Sequence, residues 1–349
     1  MPADDLPLNA DVAIIGAGVA GLAAALALAE RGIDCAVFDK SRGVSGRAAT
    51  RRRDGFAYDH GANFFTLDDA RTQALAEGLA DLARIEGRVY VHDAAGTVTP
   101  GDRTHEHARW TCRAGVSGFA KHLAARLLAP VTASTRIVAL EHADERWHLV
   151  AEGGARFGPF RAVVLTPPAP QSAEIVRAAV ETEDAAPLAR FADALAAVPY
   201  RAQFSLVYAF DAPAPRPADA CALFNADRGH AIAWLGFEET KPGHVPAGCG
   251  LIVAQMSPAW TAAHYDEAPD RLIEAGRTHV EALVGPLPSV RFTDTQRWRY
   301  ALPDAAIDAD ACASAEAFGL YVAGDAVAGK GRVEGALLSG LDIGARVAV

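Results

Sequence analysis

The chain has 349 residues, with 33 Lys and Arg against 43 Asp and Glu, and a formal net charge of −10. This length allows a large core and predicts about two domains. The acidic excess argues against nucleic-acid binding, because affinity for phosphate backbones comes mainly from clustered Lys and Arg. The five cysteines are scattered without a CxxC pair, so neither a zinc site nor a disulfide framework is predicted.

The first predicted elements are a strand, a glycine turn and a helix. The apolar run at residues 11–15 is followed by Gly16, Gly18, Ala20 and Gly21, and then by an alanine-rich stretch up to residue 30. Gly16 allows a tight turn, Gly18 lets the backbone approach a pyrophosphate, and Gly21 lets the helix pack close to the strand. These positions are therefore predicted to bind a dinucleotide.

A second apolar run, residues 33–38, ends on Asp39, 18 residues past Gly21. This spacing completes a βαβ dinucleotide fingerprint, in which the acid accepts hydrogen bonds from the ribose hydroxyls of a bound adenosine. The start of the helix adds unpaired N–H groups and a partial positive charge for the phosphates.

The first strand and helix also allow a membrane interpretation, since residues 12–29 contain no charge and a span of this length can cross a bilayer. The three glycines at the turn and the acids Asp4, Asp5 and Asp11 before it argue against a membrane span and against a signal peptide. We therefore expect a protein of the reducing cytoplasm that has no membrane partner.

The loop after Asp39 contains Lys40, Arg42, Gly46 and Arg47. Gly46 would admit close backbone approach, and Arg47 would supply a charge-assisted donor to a diphosphate. An ordinary basic surface loop is the alternative. Its position, directly after the acid of the second strand, favours a cofactor loop that includes all four residues.

The string "DKSRG" followed by "GR" resembles the glycine-arginine loop of the FAD-dependent amine-oxidase superfamily, of glutathione-reductase type, and in particular its bacterial renalase-like oxidases. The strings "TPPAPQ", "RWRYA" and "GRVEGALLSG" extend the resemblance over essentially the whole chain. Related sequences commonly have glycine where this chain has Ser45. The resemblance implies an α/β fold: a Rossmann-type, GR2-like FAD-binding domain with a second antiparallel-sheet α+β substrate domain.

The chain is expected to leave the first domain and return to it, so that both domains are discontinuous. The FAD-binding domain would comprise residues 1–66, 106–168 and 301–349. The substrate domain would comprise residues 67–105 and 169–300.

A hairpin around Asp54 and Gly55 is predicted to lead into the segment 60–65. In similar flavoproteins the corresponding segment lies beside the isoalloxazine ring. The resemblance therefore implies cofactor or pocket roles for four residues: Gly61, Ala62, Asn63 and Phe64. Phe65 is expected in the core.

The middle of the chain carries less visible chemistry. Spacing predicts a helix over 68–85 and a hairpin over 88–99. An amphipathic helix is predicted over 119–128, with Ser117 as its N-cap. Strands are predicted over 131–140, 147–152 and 160–165, and a further helix is predicted from Gln171. His105 and His107 lie two apart without a third ligand, so no metal is predicted. The resemblance implies that Ile137 contacts adenine through its backbone and that Thr166 closes the sheet beside the cofactor.

Beyond residue 169, strands are followed by a helix without βαβ alternation. Residues 202–210 alternate as in a half-buried antiparallel strand, and strands at 231–237, 251–256 and 290–295 with a helix at 269–284 predict an antiparallel sheet with helices on one side. Such a sheet would cover the flavin. Its predicted pocket residues are Trp234, Gln255, Trp298 and Tyr300.

The resemblance favours Trp298 and Tyr300 as pocket residues, because "RWRYALP" matches the family's segment where the chain re-enters the FAD domain. Gln255 departs from the resemblance, since related bacterial sequences tend to have histidine before "SPxW". A glutamine can hydrogen-bond an amide but does not titrate near neutral pH.

The C-terminal segment predicts the flavin end of the cofactor site. A strand at 319–323 runs into Gly324 and Asp325, and Asp325 is placed to accept a ribityl hydroxyl or to bind the pyrophosphate region. The start of the last helix, near Val333 to Ala336, would stabilise negative charge on the flavin's pyrimidine edge, and four residues there are predicted to bind the cofactor. These residues are Arg332, Val333, Glu334 and Ala336.

The resemblance implies noncovalent FAD, a small-molecule substrate and dioxygen. The leading expectation is a renalase-like oxidase that takes hydride from misreduced dihydro-NAD(P) isomers and yields hydrogen peroxide. The alternatives are an amine or other small-molecule oxidase or dehydrogenase of the same superfamily, and a nonenzymatic flavin-binding sensor or assembly protein. A whole domain over the flavin favours an enzyme. Oligomeric state stays open.

Overall fold

A computed structural model describes residues 5–6, 10–102, 107–179 and 186–349. His105 lies outside these ranges. The strands are β1 (Asp5–Leu6), β2 (Val12–Ile15), β3 (Cys35–Phe38), β4 (Thr50–Arg53), β5 (Phe56–Asp59), β6 (Leu82–Arg84), β7 (Arg88–His92), β8 (Val98–Pro100), β9 (Trp110–Cys112), β10 (Ile137–Ala143), β11 (Arg146–Ala151), β12 (Arg156–Phe160), β13 (Ala162–Leu165), β14 (Tyr200–Phe210), β15 (Ala220–Asn225), β16 (Ile232–Phe237), β17 (Gly250–Met256), β18 (Val290–Pro303) and β19 (Leu320–Val322).

The helices connect and cover these strands. They are α1 (Val19–Glu30), α2 (Ala70–Leu75), α3 (Ser117–Ala125), α4 (Ala169–Arg177), α5 (Ala186–Ala196), α6 (Pro258–Ala263), α7 (Pro269–Val284), α8 (Ala309–Glu316), α9 (Asp325–Ala328) and α10 (Val333–Arg346), and a 3₁₀ turn lies at Glu238–Thr240.

The predicted dinucleotide-binding unit is a parallel sheet in the order β19-β13-β2-β3. Strands β2 and β13 are buried along their whole length, as is typical of parallel strands covered by helices on both faces. On one face α1, α3 and α10 pack into a common core. On the other face α4, α5 and a smaller sheet, β10 to β12 with β1, form a second core.

The substrate-side sheet has seven strands in the order β18-β14-β17-β16-β15-β7-β8. It is antiparallel except at one pair, because β15 runs parallel to β7. Helices α6 and α7 cover one face. The hairpin β4–β5 packs on the other face, where Phe56 and Tyr58 contact Val207 and Val253.

This hairpin explains one wrong expectation. Strand β14 was expected to be half-buried, but its residues from Gln203 to Phe210 are all buried. The helices cover Phe204, Leu206 and Tyr208 on one face, while the hairpin covers the other. The hairpin also brings the end of β5 against the sheet.

Several predicted boundaries are corrected. The helix expected over 68–85 is limited to α2, because Gly78 adopts a left-handed φ of +75° and β6 then pairs with β9. Ser117 is not an N-cap: Val116 holds that position, and the buried Ser117 hydroxyl has no partner among the described residues. Strand β10 begins at Ile137 rather than at 131, and β18 continues through Pro303.

The hairpin around Asp54 and Gly55 is confirmed, as are the α7 boundaries. All five cysteines are free thiols. Within the described ranges, no helix combines the length and the apolar character that a membrane span requires.

The contact between α1 and α10 generates a first prediction. A Cβ atom at Gly340 would lie 2.1 Å from the backbone oxygen of Ala20. We expect Gly340→Ala to lower the free energy of unfolding by about 1–3 kcal/mol, the usual cost of overpacking. Gly335→Ala on the same helix is the control, because its nearest neighbours would be 3.8 Å away and helix propensity favours alanine by about 1 kcal/mol. Urea unfolding followed by circular dichroism measures both, and equal midpoints would contradict the close contact.

Candidate active site

The fingerprint turn is held by a threonine from the neighbouring strand. Gly16 adopts a φ of +104°, and a Cβ atom there would lie 2.4 Å from the Thr166 hydroxyl. That hydroxyl donates to the carbonyl oxygens of Ile15, at 2.9 Å, and Gly16, at 3.1 Å. Gly21 packs so closely on the turn that a Cβ atom would lie 2.0 Å from the Gly16 oxygen. Thr166 therefore stabilises the fingerprint turn. Its predicted contact with the cofactor would be made beside this turn.

The acid at the end of β3 also stabilises this region. The two Asp39 carboxylate oxygens accept hydrogen bonds from the backbone N–H groups of Ala17 and Ser41, each at 2.7 Å. Lys40 and Arg42 are exposed beside it. Asp39 therefore joins the fingerprint turn to the second loop.

The two glycine loops are in contact. Ser45 donates from its backbone N–H to the Ala17 oxygen at 3.0 Å, and a Cβ atom at Gly46 would lie 3.3 Å from the Gly18 Cα. Ser45 adopts a φ of +123°, a conformation that favours glycine. The departure from the family pattern at this position therefore carries backbone strain.

Arg47 and Asp325 form a bidentate ion pair. The guanidinium nitrogens lie 2.9 and 2.7 Å from the two carboxylate oxygens, and Arg47 also donates to the Ala301 oxygen at 3.0 Å. Asp325 follows Gly324, which has a φ of +137° and donates to the Ser339 hydroxyl. The pair joins the second glycine loop, the end of β18 and the start of α9.

The segment 60–64 lies between this region and the substrate-side sheet. Its Ala62 N–H donates to the Arg47 oxygen at 2.9 Å, and a Cβ atom at Gly61 would lie 2.0 Å from the same oxygen. The Gln255 side chain donates to the Gly61 oxygen at 2.6 Å. The His60 oxygen accepts from the Trp298 indole and the Ser205 hydroxyl, both at 2.7 Å.

Strand register explains why these donors converge. Trp234, Gln255, Ser205 and Gln296 are successive cross-strand partners on β16, β17, β14 and β18. Three donors of the substrate-side sheet therefore hold two adjacent carbonyl groups. Ser205 was not identified from the sequence, because a single serine in an apolar strand carries no local signal.

His60 is a neutral aromatic group in this arrangement. Its ring stacks on Trp298 with a centroid distance of 5.5 Å and an interplanar angle of 11°. Burial, together with the charge of Arg51, lowers the pKa of His60 to about 4. The imidazole is therefore unsuited to exchange protons near neutral pH.

Two polar side-chain atoms lie close to Gly236. A Cβ atom there would be 3.2 Å from the Trp234 Nε1 and 3.3 Å from the Asn63 Oδ1. Both polar atoms are buried and have no hydrogen-bond partner among the described residues. Phe64 packs on the Trp234 ring at 5.6 Å. An indole N–H donor and an amide oxygen acceptor therefore lie near the same point without partners in the described part of the chain, and Glu238 Oε1 would be 3.8 Å from the same Cβ position.

The remaining predicted residues are spread around this centre. Tyr300 packs edge-on against Tyr200 at 5.7 Å, and Ile137 is buried at the start of β10. Glu334 accepts from the Asp69 N–H and the Thr72 hydroxyl at the start of α2, so its carboxylate holds α2 to α10.

The first turn of α10 begins without a side-chain cap. Its N-cap, Arg332, is exposed and makes no capping hydrogen bond. Val333 is half-buried and Ala336 is buried. The free N–H groups of this turn are therefore available to an acceptor.

A buried charge network was missed by sequence reasoning. It consists of Asp59, Glu238, Lys241 and His244, each at most 5 % exposed. The Lys241 ammonium lies 2.9 Å from Asp59 and 2.6 Å from Glu238, and His244 Nδ1 lies 2.9 Å from Glu238. The two acids and the histidine have the spacing of a metal site, but the lysine ammonium contacts both acids.

Two family models match the chain. One described as "Flavin containing amine oxidoreductase" matches residues 101–348, and one described as "NAD(P)-binding Rossmann-like domain" matches residues 14–79. A 4,4'-diapophytoene desaturase of Staphylococcus aureus is 33% identical over 85 residues, which are 24% of this chain but 17% of the desaturase. That match is therefore confined to a small part of the relative.

Solved structures show the same fold at low identity. A putative protoporphyrinogen oxidase from Exiguobacterium sp. 255-15 has a TM-score of 0.76 at 15% identity, over 97% of this chain and 98% of that one. Wild-type putrescine oxidase bound to putrescine has a TM-score of 0.73 at 15% identity, over 97% and 99%. UDP-galactopyranose mutase has a TM-score of 0.75 at 12% identity, over 96% and 95%. The fold therefore extends over nearly the whole chain.

The stacked His60 generates a second prediction. Because its pKa is lowered to about 4, its neutral form should persist throughout pH 8 to 5. The unfolded imidazole takes up a proton near pH 6.5, so this group's stabilisation is complete above that pH and is lost as the pH falls toward 4. Nitrogen-15 NMR of histidine-labelled protein, with His60→Gln for assignment, measures the titration. A midpoint near 6.5 would contradict the burial.

Proposed function

The chain belongs to the flavin-containing amine oxidoreductases, and we propose that it acts among them as a renalase-like oxidase with noncovalent FAD. In this proposal it removes hydride from dihydronicotinamide isomers of NAD(P) that are reduced at the wrong ring carbon. The product is NAD(P)⁺. The balanced reaction is dihydronicotinamide plus dioxygen plus one proton, giving NAD(P)⁺ and hydrogen peroxide.

The residues of the two glycine loops fit a dinucleotide cofactor. Helix α1 begins after Gly18 without a side-chain cap, which leaves its first N–H groups available to phosphate. Gly18 and Gly46 approach each other with no side chain between them. Asp39 would hold the adenosine ribose, and Arg47 with Asp325 would contact the pyrophosphate and ribityl region. When bound, FAD supplies the hydride acceptor and transfers the electrons to dioxygen.

The observation that carries the proposed substrate is the pair of unpaired polar atoms beside Gly236, Trp234 Nε1 and Asn63 Oδ1. The unpaired Trp234 indole N–H and the unpaired Asn63 amide oxygen complement the oxygen and the NH₂ group of a primary carboxamide. A buried polar atom without a partner is costly, so a ligand that pairs both atoms gains affinity and specificity. The nicotinamide carboxamide has this donor and acceptor pattern.

The lack of a suitable base within the segment 60–64 supports the same assignment. Hydride removal from a dihydropyridine leaves an aromatic cation and needs no proton acceptor. On the segment 60–64, His60 is held neutral by burial and stacked on Trp298. The amide of Gln255 is committed to the Gly61 oxygen. In this proposal His60, Trp298 and Gln255 therefore orient the substrate ring and exclude water rather than move a proton.

An amine or other small-molecule oxidase of the family is the second candidate. The half-buried rings of Trp234, Trp298 and Tyr300 would suit a small amine, since aromatic faces attract cations. In this case the orphan atoms at Gly236 would be paired by ordered water instead of substrate.

Anaerobic stopped-flow absorbance separates these candidates. We expect the flavin to be bleached by the misreduced dihydronicotinamide isomers and only slowly by ordinary NADH, NADPH or a panel of small amines. Bleaching by amines alone would favour the second candidate. Bound FAD that none of these reductants bleaches would contradict both and favour a nonenzymatic flavin-binding role.

Substitution of Asn63 and Trp234, which supply the two unpaired atoms, tests whether the protein recognises the carboxamide. Asn63→Leu and Trp234→Phe should each raise KM for the dihydronicotinamide about tenfold by removing one hydrogen bond, with FAD content unchanged. Phe224→Leu is the matched control, because Phe224 packs on the Trp234 ring at 6.5 Å and offers no hydrogen bond.

An analogue with acetyl in place of carboxamide sharpens this test. It lacks the NH₂ donor, so wild-type protein should bind it more weakly than the carboxamide. Asn63→Leu should no longer distinguish the two substrates. If this variant discriminates as wild type does, Asn63 does not contact the carboxamide.

A further inference from the structure

The buried charge network joins three segments behind the active-site segment. Asp59 is the last residue of β5 and directly precedes His60 and Gly61. Glu238 lies in the 3₁₀ turn after β16, and its Oε2 accepts from the Asp59 N–H at 3.2 Å. Asp59 Oδ1 accepts from the Val116 N–H at 3.0 Å and the Thr50 hydroxyl at 2.7 Å. These bonds fix the backbone at the start of the segment 60–64.

The two ring nitrogens of His244 both face acceptors. Nε2 lies 3.0 Å from the Cys112 carbonyl oxygen, which can only accept a hydrogen bond. Nδ1 lies 2.9 Å from a Glu238 carboxylate oxygen. Pairing of both contacts therefore requires a proton on each nitrogen, and His244 is an imidazolium in this arrangement.

Charge balance leads to the same assignment. With His244 protonated, two carboxylates and two cations sum to zero in a region closed to solvent. Without that proton, the same volume carries one unbalanced negative charge, which is costly in a low-dielectric interior.

The groups that face His244 are few. Glu238 and Lys241 belong to its own segment, and Asp59 Oδ2 approaches Nδ1 at 3.9 Å from β5. From β9 it meets the Cys112 carbonyl and the Thr111 hydroxyl. The Cys112 thiol stays neutral, because burial raises its pKa to about 12.

We propose that Asp59, Glu238, Lys241 and His244 form a positioning network that holds residues 59–61 in the flavin site, and that this positioning depends on doubly protonated His244. One of its members, Glu238, also lies near the unpaired atoms beside Gly236, with Oε1 3.8 Å from the Cβ position of that glycine. The network acts through the backbone that carries the His60 and Gly61 carbonyls. The proposal rests on the family's flavin and is independent of the substrate.

The direction of the pH effect follows from the network. Burial alone would lower the pKa of His244, but the hydrogen bond to Glu238 and the charge of Asp59 outweigh it, so the pKa lies above its usual value. The stabilisation is therefore fully present below pH 6.5 and is lost as the pH rises through the folded-state pKa. Alkaline conditions should loosen the segment.

The test compares His244→Gln with wild type and with His142→Gln, a control at an exposed position on β10. FAD dissociation constants and visible circular dichroism of the bound flavin are measured from pH 6 to 9. We expect His244→Gln to raise the dissociation constant about tenfold, to alter the flavin dichroism and to remove the alkaline weakening of binding. A folded His244→Gln protein with wild-type values at every pH would overturn the proposal.

A measurement on wild-type protein covers the case in which the variant does not fold. Nitrogen-15 NMR of histidine-labelled holoprotein should show one histidine with both nitrogens protonated after the exposed histidines have lost their charge. If every histidine is neutral under those conditions, the network lacks the imidazolium and the proposal fails. Neither readout uses turnover, so a wrong substrate in the proposed function leaves this test unaffected.

Discussion

Two adjacent backbone carbonyl groups, those of His60 and Gly61, hold the two halves of the molecule together at the active site. Three side chains of the substrate-side sheet donate to them: Trp298, Ser205 and Gln255. Buried carbonyls must be paired, so these bonds set the distance between the sheet and the segment. The stacking of Trp298 on the His60 ring accompanies these bonds.

The contact between the segment 59–61 and the substrate-side sheet also contains four buried charged groups instead of apolar side chains. Apolar side chains of similar volume would often give equal or greater stability. The ions instead impose directions: the Glu238 carboxylate meets the Lys241 ammonium, the His244 imidazole and the Asp59 N–H from different sides. These directional contacts constrain how the three segments lie relative to one another.

Local sequence patterns predicted the secondary-structure elements that are determined by residues close together in the chain. Glycine spacing and apolar runs predicted the β2–α1–β3 unit, and the Asp54–Gly55 pair predicted the hairpin. Periodicity failed at 68–85, where the pairing of β6 with β9 outweighed helical spacing. In the site, the residue types of Gln255 and Trp298 marked them as candidates, but the sequence did not predict which backbone carbonyl groups accept their hydrogen bonds. Lys241 and Asp59 are separated by 182 positions, and no local pattern relates residues so far apart.

The parallel sheet takes its strands from widely separated parts of the chain. Strand β2 pairs with β13, and β13 pairs with β19 near the end of the sequence, while α1 packs on α10. During synthesis the fingerprint turn therefore leaves the ribosome long before β19 and α10 exist. Such nonlocal pairing also folds slowly. Helix α1 is likewise synthesised well before α10, the helix on which it packs.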